Sequence, residues 1–106
     1  EKFVRRFDAN TYLRILDAWQ WFDLVKESGG KDLHDLFGRC RKQEFLVFSI
    51  DSDLSFYPSD QAKLVHLLKR AHVPVMWITV HSDKGHDAFL LEPRLFSPHL
   101  QQALAR

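Results

Sequence analysis

The chain has 106 residues, 45% hydrophobic and 13% aromatic, the composition of one small globular unit and not of a disordered segment. Its 15 Lys and Arg stand against 14 Asp and Glu, a formal charge of +1 with the signs interspersed, so no basic stripe is available for a phosphate backbone and nucleic acid is not the expected partner. The longest apolar runs, 45–50 and 73–80, fall far short of a membrane span, no N-terminal signal pattern is visible and the single Cys40 cannot form an internal disulfide, so the expectation is a cytoplasmic protein away from the membrane.

In chain order, 11–27 places Tyr12, Ile15, Leu16, Trp19, Phe22 and Val25 on one side at helical intervals, with Asp8 or Asn10 as the cap and Gly29-Gly30 as the stop. That aromatic face reads as a packing surface. A short helix is expected over 32–37, ended by Gly38. The run Phe45-Leu-Val-Phe-Ser-Ile50 then has no polar alternation, which suits a strand covered on both faces, as in a parallel sheet. Ser59 is the expected cap of a helix running to Ala71, with Ala62, Leu64, Val65 and Leu68 on its apolar stripe, and 74–80 reads as a second strand. Strand, helix and strand make one βαβ unit. A last helix, interrupted near Glu92-Pro93, is expected to reach Ala105. The fold class is therefore α/β, divided into a helical part, 1–38, and an α/β part, 39–106.

Two strands do not make a sheet that helices cover on both faces, and nine Phe with three Trp are more large apolar side chains than so small a unit readily buries. The chain also starts at Glu1, and its one methionine, Met76, is internal. We therefore expect it to be a piece of a larger protein.

In an open α/β sheet, chemistry sits beyond the carboxyl ends of the strands. Asp51-Ser52-Asp53 follows the first strand, and His81-Ser82-Asp83-Lys84-Gly85-His86-Asp87 follows the second. An acid at one strand end and a histidine at the next are what a carboxylate needs to orient an imidazole. Acids and histidines are also ordinary in solvated loops. As metal ligands His81, Asp83, His86 and Asp87 lack a recognised zinc spacing, so no metal is expected.

Three stretches carry a more specific message. Gly85-His86-Asp87-Ala88-Phe89-Leu90 resembles the Gly-His-Asp-Ala-Phe-Leu of homoserine O-acyltransferases. Ser52-Asp53-Leu54-Ser55-Phe56-Tyr57-Pro58 resembles their strand-end Ser-Asp motif, and Arg6-Phe7-Asp8-Ala9-Asn10-Thr11-Tyr12-Leu13 resembles a stretch of their helical cap region. The resemblance implies the C-terminal part of an α/β-hydrolase fold, with 1–38 the end of the cap region and 39–106 part of the hydrolase core. It implies Asp53 as triad acid, His86 as triad base and Asp87 as the partner of a substrate amino group. Asp51 stands too early for the Ser-Asp motif and reads as a loop-shaping residue. The nucleophile, acid, histidine order of such enzymes agrees with this assignment.

The implied activity of the parent enzyme is acyl transfer from acyl-CoA, a co-substrate and not a cofactor, to homoserine or serine. The intact enzyme is expected to be a homodimer. The pattern departs from the family where Ser82-Asp83-Lys84-Gly85 stands in place of Ser-Pro-Tyr-Gly, and at Leu54-Ser55. No Gly-x-Ser-x-Gly elbow occurs, so the nucleophile must come from the remainder of the core. An esterase or thioesterase of the same fold, and a non-enzymatic fragment that packs on a partner, are the alternative readings.

Overall fold

The computed structural model describes residues 1–106. It divides into two compact units, Glu1–Asp32 and Leu33–Arg106.

The first unit is helical: α1 (Lys2–Arg6), α2 (Ala9–Trp21) and α3 (Leu24–Ser28). Asp8 caps α2, accepting from the Thr11 backbone N–H at 2.9 Å and the Thr11 hydroxyl at 2.8 Å. The helix expected to run through to Glu27 stops at Trp21, with Phe22 extended. Asp23 then caps α3 by accepting from the Lys26 N–H at 3.1 Å. The apolar periodicity continues across this break, but Asp23 offers the backbone a capping bond that competes with helix continuation. Gly29 ends α3 at φ 68°, where a side chain is disfavoured. Tyr12, Ile15 and Trp19 of α2 remain exposed.

The second unit contains α4 (Leu33–Gly38), β1 (Phe45–Ile50), α5 (Pro58–Arg70), β2 (Val75–Val80), α6 (Ala88–Leu91) and α7 (Ser97–Leu104), with 3-10 turns at Gly85–Asp87 and Pro93–Leu95. β1 and β2 pair in parallel, Phe45 opposite Val75 through Ile50 opposite Val80. Because side chains alternate across a strand, this register sorts the apolar run into two clusters. Phe48, Ile50, Ile78 and Val80 pack with Ala88 and Phe96. Phe45, Val47 and Val75 pack with Leu68, Ala71 and Val73. Each face of β1 thus has an apolar cluster to pack on, in keeping with its lack of polar alternation, although only Ser49 and Ile50 are buried and 45–48 are half-buried. Its one polar residue, the buried Ser49, accepts from the Trp77 indole N–H at 2.7 Å.

α5 starts earlier than expected. Pro58 occupies its first turn and Tyr57 is the N-cap, with no side-chain cap bond, so Ser59 lies inside the helix. Proline suits this place because its φ is already helical and its missing N–H has no intrahelical partner. At the other end His72 adopts φ 58°, and the Val73 N–H donates to the Leu68 carbonyl at 3.0 Å. This closure turns the chain back and delivers Val73 to the core. α4 belongs with this unit: Phe37 and the half-buried Cys40 pack on Leu68, Ala71 and Val73, and the contact boundary falls between Asp32 and Leu33, within the 29–38 stretch where the sequence changes character. No helix is long and apolar enough to cross a membrane.

Candidate active site

The in-phase register brings the two strands to a common end at Ile50 and Val80, and the loops that follow are bonded to each other. Two acid–histidine pairs result. In the outer one, Asp51 accepts from His81 Nδ1 at 2.9 Å and from the Ser82 N–H at 3.0 Å. The Ser82 N–H, followed by His81, holds the Asp51 carboxyl below the ordinary carboxylate range. Both side chains are solvated, with 83% of His81 and 45% of Asp51 exposed.

The inner pair differs in every respect that matters to chemistry. Asp53 is 2% exposed. Its Oδ1 accepts from the Ser55 and Phe56 N–H groups at 2.8 and 2.9 Å, and its Oδ2 accepts from His86 Nδ1 at 2.9 Å. Burial pushes this carboxyl up, but the Phe56 N–H, the His86 ring and the Ser55 N–H together outweigh it, and the acid titrates below its usual range. An ionised carboxylate only accepts, so Nδ1 carries a hydrogen, and in the neutral ring the lone pair is on Nε2. The imidazole is flanked by the Phe56 ring at 5.0 Å and, edge-on, by the Phe89 ring at 5.7 Å. Its side chain is 43% exposed, so the ring is held on one side and open on the other.

Ser52 joins the two loops. Its hydroxyl donates to the Ser82 carbonyl and accepts from the Gly85 N–H at 2.8 Å. Gly85 lies at φ 67° immediately before His86, a conformation that favours glycine. Ser82 in turn donates to Glu92 at 2.6 Å and accepts from the Lys84 N–H at 3.1 Å. We expect Ser52→Ala to cost about 1–2 kcal/mol in urea unfolding, with the His86 ring resonances shifting by NMR and Ser52→Thr closer to wild type. An unmoved His86 signal in the alanine variant would show that this hydroxyl does not fix the ring.

A cleft of about 380 Å³ opens beside the inner pair, with Phe48, Phe89 and Phe96 on its walls and Asp53, Gln61, His86 and Ser97 as polar members. A larger opening of about 520 Å³, at the amino ends of the strands, is lined by Phe45, Leu46, Val75 and Met76 and holds no acid–histidine pair. The acid–histidine pair lies instead at the cleft beyond the carboxyl ends of the strands, where open α/β sheets place their sites. Asp87 is exposed, next to His86 in sequence and outside the cleft lining. The structure thus brings Asp53 and His86 together and leaves Asp87 at the surface. It contains no group of three or more His, Cys, Asp or Glu side chains placed to share a metal. Asp51 shapes its loop as expected, but through a pairing with His81 that the sequence did not suggest. Ser52, Phe56, Phe89 and Gln61 were not singled out; the first three lie inside the recognised motifs, whereas Gln61 carried no signal.

A buried ionised acid that fixes the tautomer of a half-open imidazole is an arrangement able to take a proton from a hydroxyl. No protein-family model matches the chain. Its sequence is 49% identical to a homoserine O-acetyltransferase of Gluconobacter oxydans over 90 residues, which is 85% of this chain and 22% of that protein. Another of that name, from Zymomonas mobilis, is 44% identical over 91 residues, 86% of the chain and 24% of the relative. A third, from Caulobacter vibrioides, is 40% identical over 103 residues, 97% and 27%. The chain is therefore homologous to a segment of the homoserine O-acetyltransferase family, and spans about a quarter of the length of the curated relatives it matches.

Proposed function

We propose that the chain is the C-terminal acid-and-base segment of an α/β-hydrolase-fold homoserine O-acyltransferase, with Asp53 and His86 as two members of a catalytic triad. The observation that carries this reading is the buried Asp53 at 2.9 Å from His86 Nδ1, formed by the two motifs that resemble the family's acid and base. In this reading the first 38 residues are the end of the helical cap region and the βαβ unit is one side of a larger parallel sheet.

The chemistry runs in two halves. A serine elsewhere in the parent protein attacks the thioester of an acyl-CoA as His86 Nε2 takes its proton, and Asp53 stabilises the imidazolium that forms. The proton passes to the departing CoA sulfur. The acyl-serine is then attacked by the hydroxyl of homoserine, whose proton His86 removes and returns to the serine oxygen. Transfer outruns hydrolysis only where water is kept from the acyl-serine, a task that suits the Phe56 and Phe89 rings beside His86. Asp87 would pair with the ammonium of the amino-acid acceptor.

The full-length protein should convert acetyl-CoA and homoserine to O-acetylhomoserine and CoA, followed by thiol release and mass spectrometry. The 106-residue chain alone should not, because it lacks the nucleophile. Turnover by the isolated chain that disappears on His86→Ala, or none by the full-length protein, would overturn the proposal.

A further inference from the structure

His86 lies within a stretch of chain that is tied at both ends. Ser82 and Glu92 are ten residues apart and meet through one short bond, the Ser82 hydroxyl donating to Glu92 Oε1 at 2.6 Å. Before the histidine, the Gly85 N–H donates to the Ser52 hydroxyl at 2.8 Å, and that hydroxyl donates to the Ser82 carbonyl. After it, the Glu92 N–H donates to the Ala88 carbonyl at 2.7 Å, and the Glu92 carbonyl accepts from the Leu95 N–H at 3.0 Å.

These bonds converge on Ser82. Its N–H donates to Asp51 at 3.0 Å, its carbonyl serves Ser52, and its hydroxyl accepts from the Lys84 N–H at 3.1 Å. A serine hydroxyl has one hydrogen and is free to turn, so an acceptor that takes this hydrogen also aims the lone pair at Lys84. Glu92 is that acceptor. Its side chain is mostly buried, and a hydroxyl bonded to a carboxylate makes a short, strong hydrogen bond. The other Glu92 oxygen lies 3.8 Å from the exposed Arg94. Glu92 does not line the cleft beside His86, so its influence on the ring runs through the loop.

We propose that Glu92 is a positioning residue for the base: by taking the Ser82 hydrogen it closes the 82–92 loop and sets the His86 ring against Asp53. This rests on the acyltransferase reading above and adds to it a residue that the sequence marks only as the place where the last helix is interrupted. Small displacements of a proton-transferring group are costly to turnover even when their source is remote, whereas substrate binding need not change.

The test uses the full-length protein with acetyl-CoA and homoserine, with active sites counted by the CoA released when homoserine is left out. Per active site, Glu92→Ala should lower kcat about tenfold or more, while the KM for each substrate stays within about threefold. Glu92→Gln, which keeps an acceptor oxygen for Ser82, should hold kcat within about threefold of wild type. Ser82→Ala removes the same bond from its other end and should lower kcat at least as far as Glu92→Ala, and combining the two should lower it no further. The downfield proton signal of His86 Nδ1–H, assigned by its absence in His86→Ala, should persist in Glu92→Gln and shift or vanish in Glu92→Ala. Wild-type kcat in Glu92→Ala would overturn the inference and leave the acyltransferase reading intact. So would a Glu92→Gln loss as large as that of Glu92→Ala, or losses at Ser82 and Glu92 that multiply in the double variant. Equal turnover of Ser82→Ala and Glu92→Gln would overturn it even if Glu92→Ala does not fold. A wild-type protein that transfers no acyl group would overturn both.

Discussion

In the full-length protein, Asp53→Asn is expected to lower kcat for acyl transfer by about 10⁴-fold, whereas Asp51→Asn should stay within about threefold of wild type. The amide keeps the shape of the buried acid but presents one donor and one acceptor where two acceptors are needed. Oδ1 is already claimed by the Ser55 and Phe56 N–H groups, so the amide N–H faces His86 Nδ1. The ring must then carry its hydrogen on Nε2, the wrong tautomer for a base. Asp51 should not substitute, because it is half exposed and engaged by the solvated His81 and the Ser82 N–H. The same change should alter acid unfolding. The folded carboxyl of Asp53 titrates below its unfolded value, so its contribution is complete above the ordinary carboxylate range and is lost as the pH falls through the folded pKa. Asp53→Asn should therefore remove part of the acid limb of a stability-versus-pH curve and leave the neutral side flat.

Leu68→Ala should destabilise the Leu33–Arg106 unit by about 2–5 kcal/mol in urea unfolding. Leu68 is fully buried and sits where α5, β1 and the returning Val73 meet, in contact with a cluster that includes Ala71 and packs Phe37, Phe45 and Val47. Domains of this size are commonly stable by about 5–15 kcal/mol, so one cavity removes a large part of the total. A loss under about 1 kcal/mol would mean that α5 does not rest on the sheet in solution.

What the sequence disclosed follows from what decides each feature. The two strands were legible because a strand covered on both faces must be apolar at every position, and the run 45–50 is apolar but for Ser49. The βαβ order then followed from length. The break between Trp21 and Leu24 was not legible, since the apolar period runs through it and a single capping carboxylate, Asp23, decides the matter. The start of α5 was misplaced because Ser59 is a familiar cap, whereas Pro58 acts through its own fixed φ.

The site shows the same division. Spacing put two acids after one strand and two histidines after the next without saying which belong together. The structure pairs Asp51 with His81 and Asp53 with His86, both at 2.9 Å, so distance alone does not choose between them. Burial does, with Asp53 enclosed and Asp51 in water. That difference comes from the turn after Ile50, where the Asp53 N–H donates to the Ile50 carbonyl at 3.0 Å; continued strand alternation would have put 51 and 53 on one side, and no pattern of residue types records the turn. Only the likeness of 52–58 and 85–90 to the acyltransferase motifs singled out the inner pair before the geometry was in hand. The bridging roles of Ser52 and Glu92 depend on atomic positions alone.

The measurement that bears most directly on the assignment of Asp53 and His86 is acyl transfer by the full-length protein carrying His86→Ala, with His81→Ala beside it. Loss of His86 should lower both CoA release and O-acetylhomoserine formation by about 10⁴-fold or more, while loss of His81 leaves them within about threefold. Activity that survives His86→Ala and disappears with His81→Ala would contradict the assignment and move the chemistry to the outer pair.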